Sequence, residues 1–217
     1  MARLSAFQLA GLGLSAAAFL CGIICASALT VTQGEFGSQC ILYGSVRYNG
    51  TLSLSRVSHS SLCYFVSATS VLASILSFAV LFQGIYHGCF GDGQSEHTWF
   101  KGSVAIAAAV LFFLLVSGCI LRVGMDTLCA AIVQSSAAAS CQEAQRRPWV
   151  HPYRAEKFYD NLYTAEAAAW VNFFFWCLMV VLLVLERFIK SSSQPLRSSS
   201  ARTDEAAPII GGGPRGP

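Results

Sequence analysis

Cysteine is the residue type in this sequence that most clearly suggests covalent chemistry. The chain has nine cysteines, and four of them, Cys40, Cys63, Cys129 and Cys141, lie outside the long apolar stretches or at their edges. In an oxidising compartment four cysteines can pair in three ways. Pairing Cys40 with Cys63 and Cys129 with Cys141 closes each bridge within one connection. These two disulfides are therefore favoured, and pairing between connections stays open.

The other five cysteines lie in or beside the apolar stretches, where a thiol usually serves as a small packing residue. Cys89 differs because it comes at the end of the second stretch, a typical position for reversible palmitoylation. We therefore interpret Cys89 as a candidate acylation site. The remaining four are Cys21, Cys25, Cys119 and Cys177.

Two short motifs indicate passage through the secretory pathway. Asn49 begins an Asn-Gly-Thr sequon, which is glycosylated only on the luminal side of a membrane. Glu205 followed by Ile209 and Ile210 has the form of an acidic dileucine-type sorting signal, which requires a cytosolic tail. Both motifs are short enough to occur by chance, so each depends on the topology of the chain.

The polar residues do not indicate a metal centre or a catalytic site. His87, Cys89, Asp92 and His97 lie within one connection, but they lack the tight Cys or His pairs of common zinc sites, which favours a solvated loop. No Ser-His-Asp arrangement, phosphate-cradling glycine loop or intramembrane histidine cluster is visible in the sequence. The net charge of +3 is scattered and forms no basic cluster, unlike that of proteins that follow phosphates. We therefore expect no enzyme, cofactor, bound metal or nucleic-acid partner.

Four long apolar runs between charged residues must position these groups. A hydrocarbon core about 30 Å thick requires about 20 apolar residues in a helix, and each run is that long. The runs do not alternate polar and apolar residues as barrel strands do, which favours helices in lipid. With 54% hydrophobic and 12% charged residues, against about 25% charged in soluble domains, the chain is predicted to be an all-α membrane protein. The prediction is a four-helix transmembrane bundle in residues 1–190, with spans at about 7–29, 63–86, 102–121 and 165–188.

The two ends of the chain are predicted to differ from the bundle. The first run ends in Ala26-Ser27-Ala28, which resembles a signal-peptide cleavage site. The run is longer than the usual apolar region of a signal peptide, so a retained helix is favoured over a cleaved one. After residue 190 the chain is rich in Ser, Arg, Gly and Pro, a composition that cannot bury a core. Residues 191–217 are therefore predicted to form a disordered cytosolic tail.

The side of the membrane follows from the cysteines and the sequon. In a four-pass chain the first and third connections share one side, and these carry Asn49 and the four cysteines predicted to pair. The positive-inside rule does not decide the orientation, because seven Lys or Arg residues lie on each side. Since disulfides persist in oxidising compartments, both termini are predicted to be cytosolic. The membrane is predicted to be the plasma membrane or an endolysosomal or granule membrane.

Two sets of residues predict contacts between helices. Small residues recur three or four apart along the first run, which lets a neighbouring backbone approach closely in lipid. Packing within the chain is favoured, and a homodimer seam is the alternative. Asn172 lies about two turns inside the fourth run, where a polar group often bonds a facing helix, and serines of the second run are candidate partners. The small residues are Gly11, Ser15, Ala18, Gly22 and Ala26.

The stretch from Arg154 to Tyr163 in the third connection has apolar residues at helical spacing. It is predicted to be an amphipathic helix on the outer membrane surface that leads into the fourth span. A docking face for a protein partner is the alternative interpretation.

Six short segments between Thr32 and Asn172 carry a family resemblance. They are Thr32-Gln33-Gly34, Leu42-Tyr43-Gly44, Ser61-Leu62-Cys63-Tyr64-Phe65, Cys119-Ile120-Leu121-Arg122, Glu143-Ala144-Gln145 and Trp170-Val171-Asn172. In these segments the chain resembles the transmembrane protein 179 family, its B branch most, and the four loop cysteines fall in the family's positions. The resemblance implies a four-pass membrane protein without an established activity, so it supports the topology and implies no mechanism.

The chain lacks the signatures of three better-known four-pass families. No tryptophan precedes Trp99 and no close cysteine pair lies in the first connection, so a claudin is not expected. The Cys-Cys-Gly run of tetraspanins and the three cysteines per outer connection of connexins are missing too. The leading hypothesis is a non-enzymatic scaffold or accessory protein that acts on other membrane proteins through its outer connections and helix faces, and that can form a homo-oligomer. A small transporter or channel subunit is the alternative, although Asn172 and serines are the only polar groups at mid-depth for a conduction path.

Overall fold

The computed structural model describes the backbone of residues 6–90 and 96–204 and the side chains of residues 6–86 and 102–189. Within these residues the chain is mostly helical, as the sequence predicts, and four helices are long and apolar enough to cross a membrane. The elements in chain order are α1 (Ala6–Glu35), β1 (Cys40–Tyr48), β2 (Leu52–Ser58), α2 (Ser60–Phe90), α3 (Glu96–Gln134), α4 (Cys141–Ala144) and α5 (Phe158–Asp204).

The long helices extend past the predicted spans, because a charged residue marks the edge of the apolar run and not the end of the helix. The sequence places the end of the third span just before Arg122, but α3 continues to Gln134. Arg122 pairs with Asp126 one turn later at 3.2 Å, and Leu128 beyond it is buried. An i,i+4 ion pair and a buried apolar face both favour continued helix.

The first connection is a β-hairpin, which the all-α prediction missed. Strands β1 and β2 pair antiparallel, with Tyr48 opposite Leu52 at the turn. Gly50 in the turn has a φ of +82°, a left-handed conformation that glycine adopts without strain. The Asn-Gly pair at residues 49–50 lies between a run with several β-branched and aromatic residues, Cys40–Tyr48, and a run in which Leu and Ser alternate, Leu52–Ser55, which is a typical hairpin sequence. The sequence therefore contained the information needed to predict the hairpin.

The residues predicted to form a helix on the membrane surface pack instead on the protein. Helix α5 begins at Phe158, which with Leu162 belongs to the main buried core cluster. Tyr163, on the other face, is exposed. The predicted helix is observed from Phe158 onward, whereas residues 154–157 precede it. Its apolar residues Phe158 and Leu162 lie in the buried cluster that also contains residues of the hairpin.

The chain divides into two compact units, Met1–Val180 and Val181–Pro217. Helix α5 runs to Asp204. The boundary after residue 190 and the disordered tail stay predictions.

Helix α1 packs on α2 through the small-residue face predicted from the sequence. Ala18 and Gly22 are buried, and a Cβ atom at Gly22 would overlap Ser74 Oγ and the Ser70 carbonyl oxygen. The hydroxyl of Ser70 donates a hydrogen bond to Cys25 Sγ at 3.2 Å. Ala18 and Gly22 are therefore used for packing within the chain, and a homodimer through other residues of this face stays a prediction.

Candidate functional site: a disulfide-bonded head

One end of the helix bundle carries a folded cap that we call the head. It consists of the hairpin, residues 135–157 between α3 and α5, and the helix turns that contact them. The ends of α1 and α3 and the starts of α2 and α5 meet here, because successive long helices alternate in direction. Leu29, Leu52, Leu128 and Phe158 from these parts belong to one buried cluster. The head is therefore continuous with the bundle.

Two disulfides fasten the head. Cys40 at the start of β1 is bonded to Cys63 in the first turn of α2, with the two Cα atoms 5.8 Å apart. Cys129 near the end of α3 is bonded to Cys141 at the start of α4, with a Cα separation of 5.1 Å. Each bridge lies within one connection, which is the pairing that the sequence favours. Bridges over 23 and 12 residues stabilise a fold by about 3 kcal/mol each in the chain-entropy account.

The third connection adds a short backbone partner to the hairpin. The N–H of Leu52 donates to the carbonyl of Pro148 at 2.9 Å, and the N–H of Val150 donates to the carbonyl of Leu52 at 2.9 Å. Trp149, which lies between Pro148 and Val150, forms a parallel β-bridge with Leu52. The first and third connections, which are far apart in the sequence, therefore form one folded unit.

Phe36 is the centre of an aromatic cluster that joins the end of α1 to the third connection. It is fully buried, and its ring centroid lies 5.5 Å from that of Trp149, 5.6 Å from Tyr153 and 6.1 Å from Phe158. Trp149 also donates from Nε1 to the carbonyl of Ala144 at 3.0 Å. Aromatic pairs at such distances contribute about 0.5–1.5 kcal/mol each beyond their burial. The cluster therefore holds the head in one arrangement.

The hairpin presents an apolar and cationic surface. Tyr48 is 38% and Val57 41% exposed, and Arg47 and Arg56 are also exposed. Asn49, predicted to be glycosylated, is exposed at the tip of the hairpin, and its glycosylation stays a prediction.

An ion pair joins α3 to α5 near the boundary between the head and the bundle. Arg122 Nη1 lies 3.3 Å from Glu166 Oε1, and Arg122 Nε lies 3.2 Å from Asp126 Oδ2. Glu166 is only 7% exposed, and a buried carboxylate without a partner is strongly destabilising. The contact between Arg122 and Glu166 therefore fixes how α3 and α5 lie along one another.

Glu143 organises the short helix α4. Its backbone N–H donates to Ser140 Oγ at 3.2 Å, so Ser140 caps the helix. Its carboxylate accepts hydrogen bonds from the N–H of Ala139 at 3.2 Å and from Arg147 at 2.7 Å. The Ala139 N–H, and after it Arg147, stabilise the charged carboxylate and place the pKa of Glu143 below its usual value.

Asn172, predicted to make a contact between helices, is buried at 1% exposure. Its Oδ1 atom nevertheless receives no hydrogen bond from any residue that the structure describes. Two of the α2 serines expected as partners bond elsewhere: the hydroxyl of Ser70 lies within donating distance of Cys25 Sγ and the carbonyl of Val66, and that of Ser74 within donating distance of the carbonyls of Phe19 and Ser70. The partner that the sequence suggested for Asn172 is therefore not found in these two serines.

Several predicted residues lie outside the described side chains, and their roles stay predictions. Among the side chains of residues 6–86 and 102–189, no group of three His, Cys, Asp or Glu is placed to hold a metal ion. The residues outside are the acylation candidate Cys89, the sorting residues Glu205, Ile209 and Ile210, and the remaining members of the metal candidate, His87, Asp92 and His97.

Comparison with known proteins gives this arrangement a class and a family. Residues 7–210 match the profile of the transmembrane protein 179/179B claudin domain, so the bundle and its head define a claudin-type, four-pass membrane protein. The chain belongs to the transmembrane protein 179/179B family. It is similar to transmembrane protein 179B of Homo sapiens, with 44% identity over 195 residues that cover 89% of this chain and 88% of the relative. The corresponding protein of Danio rerio is 42% identical over 197 residues, 88% of this chain and 90% of the relative, and that of Mus musculus is 39% identical over 198 residues, 90% of each. No solved structure matches the chain.

The family match corrects the expectation that the chain is not of the claudin type. The tryptophan and the close cysteine pair of the claudin signature are indeed missing from the first connection. Other residues hold the hairpin in place: the Cys40–Cys63 bridge closes its base, and Phe36 packs on Trp149 from the third connection. Signature residues alone are therefore too strict a test for this domain.

Proposed function

We propose that this protein is a non-enzymatic scaffold or accessory protein that binds other membrane proteins through its head. The observation that carries the proposal is the union of two connections into one unit, through the backbone pairing of Leu52 with Trp149. A surface that is ordered before binding loses little conformational entropy on binding. Tyr48 and the hairpin arginines, Arg47 and Arg56, are exposed there, and Tyr and Arg are enriched at protein interfaces.

The head is proposed to lie outside the cytosol and both termini inside it. Disulfides persist in oxidising compartments, and Asn49 is exposed at the hairpin tip, where the glycosylation machinery can reach it. The protein then belongs to the secretory pathway, in the plasma membrane or in an endolysosomal or granule membrane. This orientation also gives Cys89 and the motif from Glu205 to Ile210 the cytosolic placement that acylation and sorting require.

A small transporter or channel subunit is the second candidate function. The observation that favours it is the burial of Ser77, Ser117 and Asn172 inside the spans. Ion or solute pathways usually combine such groups with ionisable residues at mid-depth. Among the described residues of the spans, Arg122 and Glu166 lie toward the head end, and Glu186 and Arg187 lie at the opposite end of the fourth span. The scaffold function therefore has the stronger support.

The scaffold proposal is tested by proximity labelling, with the enzyme fused to the C-terminus of the full chain in secretory-competent cells. Val57→Asp places a charge on the hairpin surface, and Val133→Asp is the matched control, since Val57 is 41% and Val133 49% exposed. We expect Val57→Asp to reduce labelling of a set of membrane proteins several-fold and Val133→Asp to retain it. If both variants keep the wild-type neighbours at equal expression, the hairpin is not the docking surface.

Two further measurements separate the alternatives. Two differently tagged copies that purify together would identify a second copy of this chain as a partner. A solute flux into vesicles that contain the purified protein, lost in Asn172→Leu, would favour the transporter function over the scaffold.

A further inference from the structure

The parallel bridge between the third connection and β2 stops after one residue of β2. Both outward-facing backbone groups of Leu52 are bonded, to the carbonyl of Pro148 and to the N–H of Val150. A longer parallel ladder would use the carbonyl of Val150 and the N–H of residue 152 for the next outward-facing residue of β2. Residue 152 is a proline, which has no N–H. The carbonyl of Val150 accepts instead from the N–H of Tyr153 at 3.1 Å, so the segment turns away from the strand.

Leu54 is the next residue of β2 whose backbone points away from β1. The register is regular from Leu54 opposite Val46 to Leu52 opposite Tyr48. Alternate residues of an antiparallel strand direct their N–H and carbonyl groups to the same side, so those of Leu54 point outward as those of Leu52 do. No hydrogen bond between segments of the described backbone reaches Leu54, and residues 55–57 after it are exposed. An open strand edge of this kind is a template for pairing with another chain.

The outer face of the hairpin beside this edge is positively charged. Arg56 lies opposite Ser45, which is on the same face of β1 as Arg47 because alternate residues of a strand share a face. Both arginines are exposed, and the ion pairs among the described residues do not include them. The sequence from residue 36 to residue 91 contains no Asp or Glu. A partner with acidic side chains would therefore complement this face.

The open edge and the charge together select the occupant. The N–H and carbonyl of a strand edge match the backbone of another extended polypeptide, which binds by adding a strand. A second hairpin of this chain would place arginine beside arginine, and like charges on neighbouring strands are destabilising. An acidic extended segment satisfies both requirements.

We propose that the edge of β2 from Leu54 to Val57 binds an extended, acidic segment of another membrane protein as an added strand, with a carboxylate beside Arg56. The inference rests on the proposed docking function of the head and specifies the chemistry of the partner. The added strand continues the pairing that Trp149 begins at Leu52.

The first test compares two backbone amides by hydrogen exchange, read at single residues by mass spectrometry with electron-transfer fragmentation, on the full chain in lipid nanodiscs. In the free protein the N–H of Leu52 is bonded, so it is expected to exchange several-fold more slowly than that of Leu54. The probe is a capped peptide of alternating threonine and glutamate, which is expected to slow exchange at Leu54 several-fold. The same peptide with every backbone nitrogen methylated keeps its charge but loses its donors, and it should have no effect. Slow exchange at Leu54 in the free protein, or no protection by the glutamate peptide, would overturn the proposal.

The second test reverses the charge at the edge. Arg56→Glu is expected to weaken binding of the glutamate peptide several-fold and to strengthen binding of the same peptide with lysine in place of glutamate, measured by fluorescence anisotropy. Arg154→Glu is the matched control, because Arg154 is also an exposed arginine of the head. Its backbone N–H bonds the carbonyl of Glu35 at the end of α1 and not the hairpin. Equal losses in the two variants would contradict a specific place for the carboxylate beside Arg56.

Proximity labelling separates a failure of this inference from a failure of the docking function. If the peptide does not protect Leu54 while Val57→Asp still loses its labelled neighbours, the head docks through its side chains and the added strand is wrong. If Val57→Asp keeps all its neighbours, the hairpin is not a docking surface and this inference fails with the docking function. Two differently tagged copies that purify together, and separate in Arg56→Glu, would identify a second copy as the occupant and would also overturn the proposal.

Discussion

Gly124 of α3 lies so close to Leu42 of β1 that a Cβ atom at Gly124 would be 2.9 Å from two side-chain atoms of Leu42. Leu42 is fully buried and cannot move aside freely. The hairpin rests on α3 through this contact. The absence of a side chain at Gly124 is therefore a condition for assembling the head.

Gly124→Val is expected to lower the free energy of unfolding by about 1–3 kcal/mol, the usual loss for overpacking a core. Gly34→Val is the matched control, since a Cβ at Gly34 would meet nothing within 4 Å. Thermal unfolding of the purified protein in detergent measures both. Equal melting temperatures for the two variants would show that the hairpin does not depend on this contact.

Gly22→Leu is expected to separate α1 from α2, because a side chain there overlaps Ser74 and the backbone of Ser70. Gly13→Leu is expected to be tolerated, since the space around Gly13 is open. The comparison uses the melting temperature and the yield of monodisperse protein on size-exclusion chromatography. A Gly22→Leu variant as stable as Gly13→Leu would mean that α1 can shift along α2.

Removing the second disulfide, with Cys129→Ser and Cys141→Ser together, is expected to destabilise the protein by about 3 kcal/mol. Unfolding by SDS titration in mixed micelles measures the change. Cys119→Ser is the control, because Cys119 is an exposed free cysteine. Both proteins are compared under non-reducing conditions. If the wild type and the double variant unfold at the same SDS fraction, the bridge adds no stability.

Asn49→Gln is expected to abolish an electrophoretic shift that glycosidase treatment removes from the wild type, because Asn49 is exposed at the hairpin tip. Thr51→Ala, which destroys the same sequon, should behave identically. The proteins are expressed in secretory-competent cells and compared on gels before and after digestion. A wild type that never shifts, with C-terminal epitopes accessible on intact cells, would invert the proposed orientation.

The stabilising effect of Glu143 is expected to depend on pH. Since its pKa in the folded protein is lowered from an ordinary value of 4.5, the folded state favours the charged form. Its contribution is fully present above the unfolded pKa and is lost as the pH falls through the folded pKa. Melting temperatures of the wild type and Glu143→Gln should therefore differ at pH 7 and converge as the pH falls below about 4. A difference that stays constant from pH 7 to pH 3 would exclude this carboxylate as the cause.

The spans could be predicted from the sequence because each is a local pattern about as long as the bilayer is thick. The hairpin could also have been predicted, from the Asn-Gly turn that begins at Asn49. The ends of the helices could not, since Arg122 marks a change of environment and the helix continues beyond it.

Contacts between distant segments explain most of what the sequence did not predict. Nothing in the local pattern indicates that Trp149 pairs with Leu52, because this depends on how the bundle brings the two connections together. Asn172 illustrates the same limit. Its burial follows from the cost of placing a polar side chain against lipid, but the residue that it faces depends on how the helices pack, which the local pattern does not show.

The pairing of Leu52 with Trp149 has a consequence for biosynthesis. The ribosome adds 96 residues between them, which takes about 5–20 s at typical rates of synthesis. Throughout this interval the backbone of Leu52 lacks the partner that it has in the folded head, and an unpaired strand edge promotes aggregation. The Cys40–Cys63 bridge requires only the first 63 residues, so oxidative folding can secure the nascent hairpin early. The head is thus expected to mature in two stages, and a folding factor that shields the strand edge would act between them.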